Sequence, residues 1–305
     1  MPLVVGPECL VEIGLTLPTM IAGLDRPTLA EWCRRVDAGP FSTLAVGERI
    51  AYPNSELLVT LSVAAALTER VRIMSTVVIL PMHPAVEIAK QAATLDVVSG
   101  GRLVLGLGVG GRDEDYRALE ARFDHRHQRL DDQVALMRRV WAGDPPFTDM
   151  APVGPAPVQS GGPPLYSGAL GPKAIARSAQ WAEGICGFVL DPVGEDHRAT
   201  FGRIESAWSA AGRVDPPRHV SSFWYSLGDG GQGRLSDYAR GYLGIFGDEA
   251  ATAMAALATA WSADRVLDGF GRLAEAGCDE VLLVPTSMDP DEVDQAAELV
   301  SAFNR

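Results

Sequence analysis

An α/β chain closed into a single (β/α)8 TIM barrel, with an insertion in its second half, is the architecture this sequence predicts. Three observations point to it. The stretch Val71 to Gly111 reads as strand, helix and parallel strand, the right-handed crossover unit of α/β proteins. About eight strand-like runs alternate with helical ones along the chain. The 305 residues, 47% of them hydrophobic, match one barrel in size, although length alone leaves a two-domain chain open.

The elements follow in order. Val11 to Leu17 is the first strand, closed by Pro18. Thr28 to Ala38 is helical, with Asp25 or Thr28 available as cap. Thr43 to Val46 is a short second strand, followed by Gly47-Glu48-Arg49. A helix runs from Asn54-Ser55-Glu56 to about Thr68, with Ser55 as the expected N-cap. Val71 to Leu80 is apolar and β-branched, a strand buried on both faces. Pro84 suits the first position of the next helix, whose apolar residues keep helical spacing until Ser99-Gly100-Gly101. Arg102 to Val109 is the fourth strand, and a charged segment, Arg112 to Arg129, leads into an amphipathic helix ending at Trp141.

Gly143 to Pro164 holds eleven Gly or Pro among its 22 residues, too broken for a helix and too long for an ordinary connection. Strand-like Pro164-Leu165-Tyr166 beyond it favours an insertion within one barrel, spanning residues 1–305, over a domain boundary. Helices at about Pro172 to Ala182 and Glu195 to Ala211 flank a strand at Gly184 to Leu190. Arg218 to Leu227 is the seventh strand, on which one of Phe223, Trp224 and Tyr225 is expected to line a pocket. Asp229 to Gly233 reads as a turn or loop, and an alanine-rich helical stretch runs to Ala260. The helix Ala263 to Ala276, the strand Glu280 to Val284 and a final helix capped at Asp289-Pro290 complete the pattern.

Charge and cysteines exclude several functions. A net charge of −13 argues against a nucleic-acid surface, which needs clustered Lys and Arg. Cys9, Cys33, Cys186 and Cys278 are scattered without a CxxC, as reduced buried thiols would be. The N-terminal residues lack the basic and apolar regions of a signal peptide, and no apolar run reaches the roughly 20 residues of a membrane span. A cytoplasmic protein without membrane contact is expected. The histidines show no ligand spacing, so no metal is predicted. His83 reads as a residue of the helix N-terminus, and His125 and His127 as parts of a charged helix start.

In a barrel the chemistry gathers at the C-terminal ends of the strands. One such segment is Tyr166-Ser167-Gly168-Ala169-Leu170-Gly171-Pro172-Lys173, a strand, a glycine-containing turn and a helix start. Free amides and the helix dipole favour an anion there, but a plain strand-to-helix turn stands level with that reading on spacing alone. Gly106 to Arg112 ends a strand in glycines that let a flat ring approach the backbone at Gly108, Gly110 and Gly111. It is not a dinucleotide fingerprint, because no helix is expected straight after it. Arg112 suits a cofactor or substrate contact, or a surface ion pair.

The runs HPAVEIAKQAATLDVVSGGRLVLGLGVGG, RDEDYRALEARFDHRHQRLDDQVALMRRVWAG and PPLYSGALGPKAIARSAQWAEGI resemble the luciferase-like monooxygenase superfamily. They are most similar to its branch of oxidoreductases dependent on coenzyme F420, and the resemblance weakens after about His197. It implies a (β/α)8 barrel that exchanges a hydride between a small organic substrate and the deazaflavin. It also implies a phosphate held at Ser167, Gly168, Ala169, Leu170, Gly171 and Lys173, with the Ser167 hydroxyl as a possible donor. Ser75, Thr76 and Val77 would form a bulge behind the cofactor ring, with a non-proline cis peptide near Thr76-Val77.

Relatives often carry an acidic residue and a histidine after the second strand. Here Glu48 and Arg49 stand there as the candidate catalytic pair. Arginine keeps its proton, so Arg49 suits anion recognition and acid/base work would fall to Glu48; an exposed Glu–Arg pair is the plain alternative. A monooxygenase using flavin mononucleotide (FMN), or a cofactor-binding relative without turnover, are the other functions implied. A homodimer, an actinobacterial source, and substrate selection by the loops Ala51 to Asn54, Gly143 to Pro164 and Gly228 to Gly233 are further expectations.

Overall fold

The computed structural model describes residues 11–305. Its first half contains β1 (Glu12–Thr16), α1 (Arg26–Ala38), β2 (Thr43–Val46), α2 (Leu57–Leu67), β3 (Arg72–Ile79), α3 (Ala85–Val98), β4 (Leu103–Gly108), α4 (Asp113–Ala118) and α5 (Arg126–Trp141). Then follow β5 (Leu165–Ser167), α6 (Pro172–Ser178), β6 (Gly184–Phe188), α7 (His197–Ala210), β7 (Arg218–Tyr225), α8 (Gly231–Leu243), α9 (Asp248–Ala255), α10 (Ala263–Ala276), β8 (Glu280–Pro285) and α11 (Asp291–Phe303). The eight strands pair in parallel, each with its sequence neighbours, and β8 closes on β1. This is the (β/α)8 barrel the alternation predicts.

Strand parity divides the side chains into two cores. Ala45, Met74, Val104, Tyr166, Cys186, Val220 and Leu282 fill the barrel interior. Alternate residues such as Ile13, Leu44, Ile73, Leu105, Phe223 and Val281 face the helices in a larger core. Space inside is tight: a Cβ on Gly106 would lie 2.1 Å from the Ser75 carbonyl oxygen. Only glycine fits where β3 and β4 approach this closely.

The N-terminal end of the barrel is closed by ions. Arg72 reaches Glu12 at 2.8 Å and Glu280 at 2.9 Å, and Arg218 pairs with Glu12. Buried Glu280 also accepts hydrogen bonds from Ser42 and Thr43. The low-dielectric interior makes such an arrangement costly unless every member is paired, and here each is.

Several local expectations need correction. Glu56, not Ser55, caps α2, its carboxylate accepting from the Val59 amide at 2.6 Å. Pro84 sits at the N-cap of α3, because a 3-10 turn at Leu80–Met82 delays the helix. A helix does open after the Gly106 to Gly111 run, namely α4. It is only six residues long, and its first turn is acidic (Asp113, Glu114, Asp115), which would repel a phosphate. The loop expected at Asp229 to Gly233 ends early, since Gly231 already belongs to α8.

Residues 143–164 form no helix or strand. They join the end of α5 to the start of β5, so they run across the N-terminal face. Asp96 anchors them there: its carboxylate accepts from the amides of Val158 and Gln159 at 2.8 and 2.9 Å and from the Gln159 side chain at 2.7 Å. The material added at the opposite end is α8 and α9, between β7 and α10. Among the described residues, no helix is long and apolar enough to cross a membrane. Cys33, Cys186 and Cys278 are free and buried, and burial pushes each thiol up to about 12. Cys9 lies outside the described residues.

Candidate functional site

A cavity of about 410 Å3 opens at the C-terminal mouth of the barrel, a size normal for a small-molecule site. The ends of β1, β3, β6, β7 and β8 line it, together with the turn after β5 and the inner faces of α8 and α9. Thr76 and Val77 enter it from β3. The peptide between them is cis, at the position the sequence resemblance indicates. The β3–β4 register skips there, with Ser75 opposite Leu105 but Val78 opposite Leu107.

Glycines make room for this bulge. A Cβ on Gly108 would lie 2.6 Å from a Val77 methyl, and one on Gly168 would lie 3.1 Å from the other. A Cβ on Gly47 would crowd the Thr76 carbonyl oxygen at 3.3 Å. Three strands therefore lack side chains around one protruding dipeptide. The glycines make way for the Val77 side chain, and Thr76 and Val77 both line the cavity.

Beside the main cavity a narrow recess of about 20 Å3 is lined by Gly108, Gly168, Ala169, His127 and Arg177, among others. The Gly168 amide is tied to the Leu107 carbonyl at 2.9 Å, while the next three amides, of Ala169, Leu170 and Gly171, donate to no backbone carbonyl. Arg177 pairs with Asp131 and donates to Gln128 at 3.1 Å, and its buried Nε has no partner. Burial, and the positive charge of Arg126 and Arg177, lower the pKa of His127. The Asp131 carboxylate lines the same recess, so the groups that face an anion without a partner here are the free amide of Ala169 and the unpartnered Nε of Arg177.

Other residues singled out from the sequence have different employment. The Ser167 hydroxyl meets that of Ser178 at 2.6 Å, which in turn donates to the Ala174 carbonyl, so its proton is already engaged. Ser75 is buried and donates to the Gly106 carbonyl at 2.9 Å. Gly110, in the left-handed region, packs against Ile79, and Gly111 is exposed. Leu170 lines the cavity at its rim and is 78% exposed. Gly171 caps α6, and Lys173 is exposed outside both cavities. Arg112 donates to the Tyr242 carbonyl at 2.8 Å and stands over the Tyr242 ring at 5.0 Å, pinning the end of α8.

Glu48 and Arg49 are both buried, are not paired with each other and do not line the cavity. Arg49 donates to Asp115 at 2.8 Å and Glu114 at 2.9 Å, and lies over the Tyr52 ring at 4.8 Å. Its remaining nitrogen, Nη1, is buried without a partner. Glu48 accepts from the Ile79 amide at 2.5 Å and sits 2.9 Å from His83 Nε2. The histidine that pairs with Glu48 thus comes from the turn beyond β3, outside the cavity lining. Burial works against the His83 imidazolium, but the hydrogen bond and charge of Glu48 outweigh it and the pKa is raised.

Sequence reasoning missed Arg177, His127, Thr16 and the aromatic wall of Phe188, Tyr238 and Tyr242. Arg177 had a signal, since it follows Lys173 by four residues, one helical turn on. The wall had a partial one: on β7 the inward parity of Val220 and Ser222 selects Trp224, while Phe223 and Tyr225 face the helices. None of residues 143–164 lines the cavity, contrary to the expectation that this segment selects substrate; the cause is its place on the N-terminal face.

Fold and mouth together define a (β/α)8-barrel protein with a small-molecule cavity at the C-terminal ends of its strands. The chain belongs to the luciferase-like monooxygenase family, whose model matches residues 12–286. An uncharacterized protein of Mycobacterium tuberculosis (strain H37Rv), Rv0953c, is 31% identical over 174 residues, 53% of this chain and only 59% of that protein. A second protein of that strain, named "Putative coenzyme F420-dependent oxidoreductase Rv3520c", is 31% identical over 135 residues, 38% of this chain and 39% of its own length. Among solved structures, monooxygenase RslO1 from Streptomyces bottropensis superposes with a TM-score of 0.76 at 21% identity, covering 96% of this chain and 98% of that one. At that identity the likeness concerns the fold.

Proposed function

We propose that this chain is an oxidoreductase that binds coenzyme F420 in the mouth of its barrel and exchanges a hydride between it and a small organic substrate. One observation carries the reading. Gly47, Gly108 and Gly168 make room for the Thr76-Val77 bulge, which lines the cavity and would support a flat ring there. The donor set suits the rest of the coenzyme. The Ala169 amide, with Arg177 and His127, would hold its phosphate, Arg177 turning to it from Asp131.

When bound, the deazaflavin supplies a two-electron centre that gives or takes a hydride. The protein's part is positioning. Val77 supports the ring, and Ser75, bonded to Gly106, fixes the strand that carries it. Glu48 holds the far end of that strand through Ile79 and His83, and Arg49 ties the loop after β2 to α4. The apolar walls exclude water from the reacting centre, which strengthens every polar contact within it.

The relative Rv3520c bears the coenzyme in its name, which supports this choice. An FMN-dependent monooxygenase is the second reading, favoured by the family's description and by RslO1. FMN also joins a flat ring to a phosphate, so the same residues would hold it. The proposal takes the chain as one barrel domain, residues 143–164 included, acting in the cytoplasm as a homodimer. Exposed apolar side chains on α2 and α3 support the dimer.

Equilibrium titration of the purified protein with F420 and with FMN, followed by tryptophan fluorescence, tests the choice. Micromolar or tighter binding of F420, with FMN at least tenfold weaker, is expected. Preference for FMN would move the assignment to the monooxygenase, and binding of neither would remove the cofactor reading.

A further inference from the structure

We infer that the part of the cavity walled by β6, β7, β8 and α8 takes an uncharged aromatic substrate bearing a hydroxyl or carbonyl oxygen, and that the Thr16 hydroxyl engages this oxygen. The inference rests on the oxidoreductase reading of the same mouth and names its substrate class.

The wall is aromatic. Phe188 and Trp224 lie 4.7 Å apart between ring centroids, and Trp224 packs edgewise on Tyr242 at 5.4 Å and on Tyr238 at 5.7 Å. These rings come from β6, β7 and α8, so three elements converge to present them. Tilted and T-shaped packing of this kind leaves faces and edges to which another aromatic ring adds favourably.

The lining is also uncharged. No Asp, Glu, Lys, Arg or His contributes to it among the described residues. The neighbouring guanidinium of Arg112 is engaged by the Tyr242 ring and carbonyl. A carboxylate or phosphate on the substrate would lose its water here and gain no counter-charge, which is strongly unfavourable.

One fully buried side-chain oxygen in this lining is left without a partner. Thr16 ends β1 with its side chain pointing inward and 6% exposed, and its Oγ1 is buried without a hydrogen-bond partner. Ser222, by contrast, satisfies itself on the Gly187 carbonyl at 2.8 Å. Buried hydroxyls are nearly always bonded to protein or water, so one at the edge of a ligand cavity has a partner to gain from a ligand. A hydroxyl both donates and accepts, so it serves an alcohol and a ketone alike, the two ends of a hydride exchange.

The test uses equilibrium dialysis of the full chain, with and without saturating F420, against 2-naphthol, 2-methylnaphthalene and 2-naphthoate. We expect 2-naphthol to bind at least tenfold more tightly than 2-naphthoate. Thr16→Val should weaken 2-naphthol about three- to tenfold, the worth of one neutral hydrogen bond, and leave 2-methylnaphthalene unchanged. Thr16→Ser should restore 2-naphthol, and Trp224→Ala should weaken both neutral ligands. Equal binding of 2-naphthoate, an equal loss of both neutral ligands in Thr16→Val, or no binding of any of the three would overturn the inference. The arm without F420 keeps the two claims apart. If no cofactor binds but the naphthol series behaves as stated, the oxidoreductase reading falls and the aromatic site stands.

Discussion

Glu48 commits both carboxylate oxygens to the end of β3, one to the Ile79 amide and one to His83. Because Glu48 raises the His83 pKa, the folded protein holds the proton more tightly than the unfolded chain does. The stabilisation from this pair is therefore complete below the ordinary histidine pKa of about 6.5 and is lost as pH rises through the raised folded value. His83→Ala should cost about 1–3 kcal/mol in urea unfolding at pH 6, since it leaves a buried carboxylate oxygen unanswered, and clearly less at pH 9. A cost independent of pH would show that the pair is not charged. At this scale the sequence was least legible. The pairing of Arg49 with Asp115 was hidden because the two lie 66 residues apart. Ser167 looked like a phosphate donor because nothing in its own segment shows that Ser178 packs beneath it. Pairings between side chains distant in sequence are decided by the closed barrel and leave no local mark.

Elements were read more faithfully than residues wherever periodicity and punctuation agreed. Helix α10 spans Ala263–Ala276 and ends at Gly277 in the left-handed region, as its spacing and final glycine predict. Short elements defeated the same approach. Six-residue α4 has too few turns for a periodic pattern and is held by Asp115 bonds to the loop after β2. The broken composition of residues 143–164 showed that the segment is irregular but not at which end of the barrel it lies. Helix α2 carries a consequence of its own. It has no charged residue, and Val59, Val63 and Leu67 repeat every fourth position on its exposed side, beside exposed Val97 and Val98 of α3. A lone protein seldom leaves such a stripe to water. Light scattering behind size exclusion should therefore give twice 32.4 kDa for the native chain, and Val59→Glu combined with Leu67→Glu should give a monomer that still folds. A native monomer at tens of micromolar would remove the dimer from the account.

Across the whole molecule the two ends of the barrel are built for different tasks. Charges at the N-terminal end are mutually paired and sealed by Glu280, an arrangement that serves stability. The C-terminal end keeps a cavity, an unanswered hydroxyl and a bulge crowded by glycines. The barrel and its mouth were legible because eight strand-like runs alternate with helices and the strand ends carry the glycines. The aromatic wall was less so, since α8 is brought over the mouth only by the fold. The central claim is that the Thr76-Val77 bulge supports the coenzyme ring. It is tested most directly by comparing F420 affinity in the native protein and in Gly108→Val, with circular dichroism to confirm that the variant folds. The Cβ would meet Val77 at 2.6 Å and displace it into the cavity it lines, so we predict at least a tenfold loss of affinity in a folded barrel. Unchanged affinity would contradict the account and place the ring elsewhere.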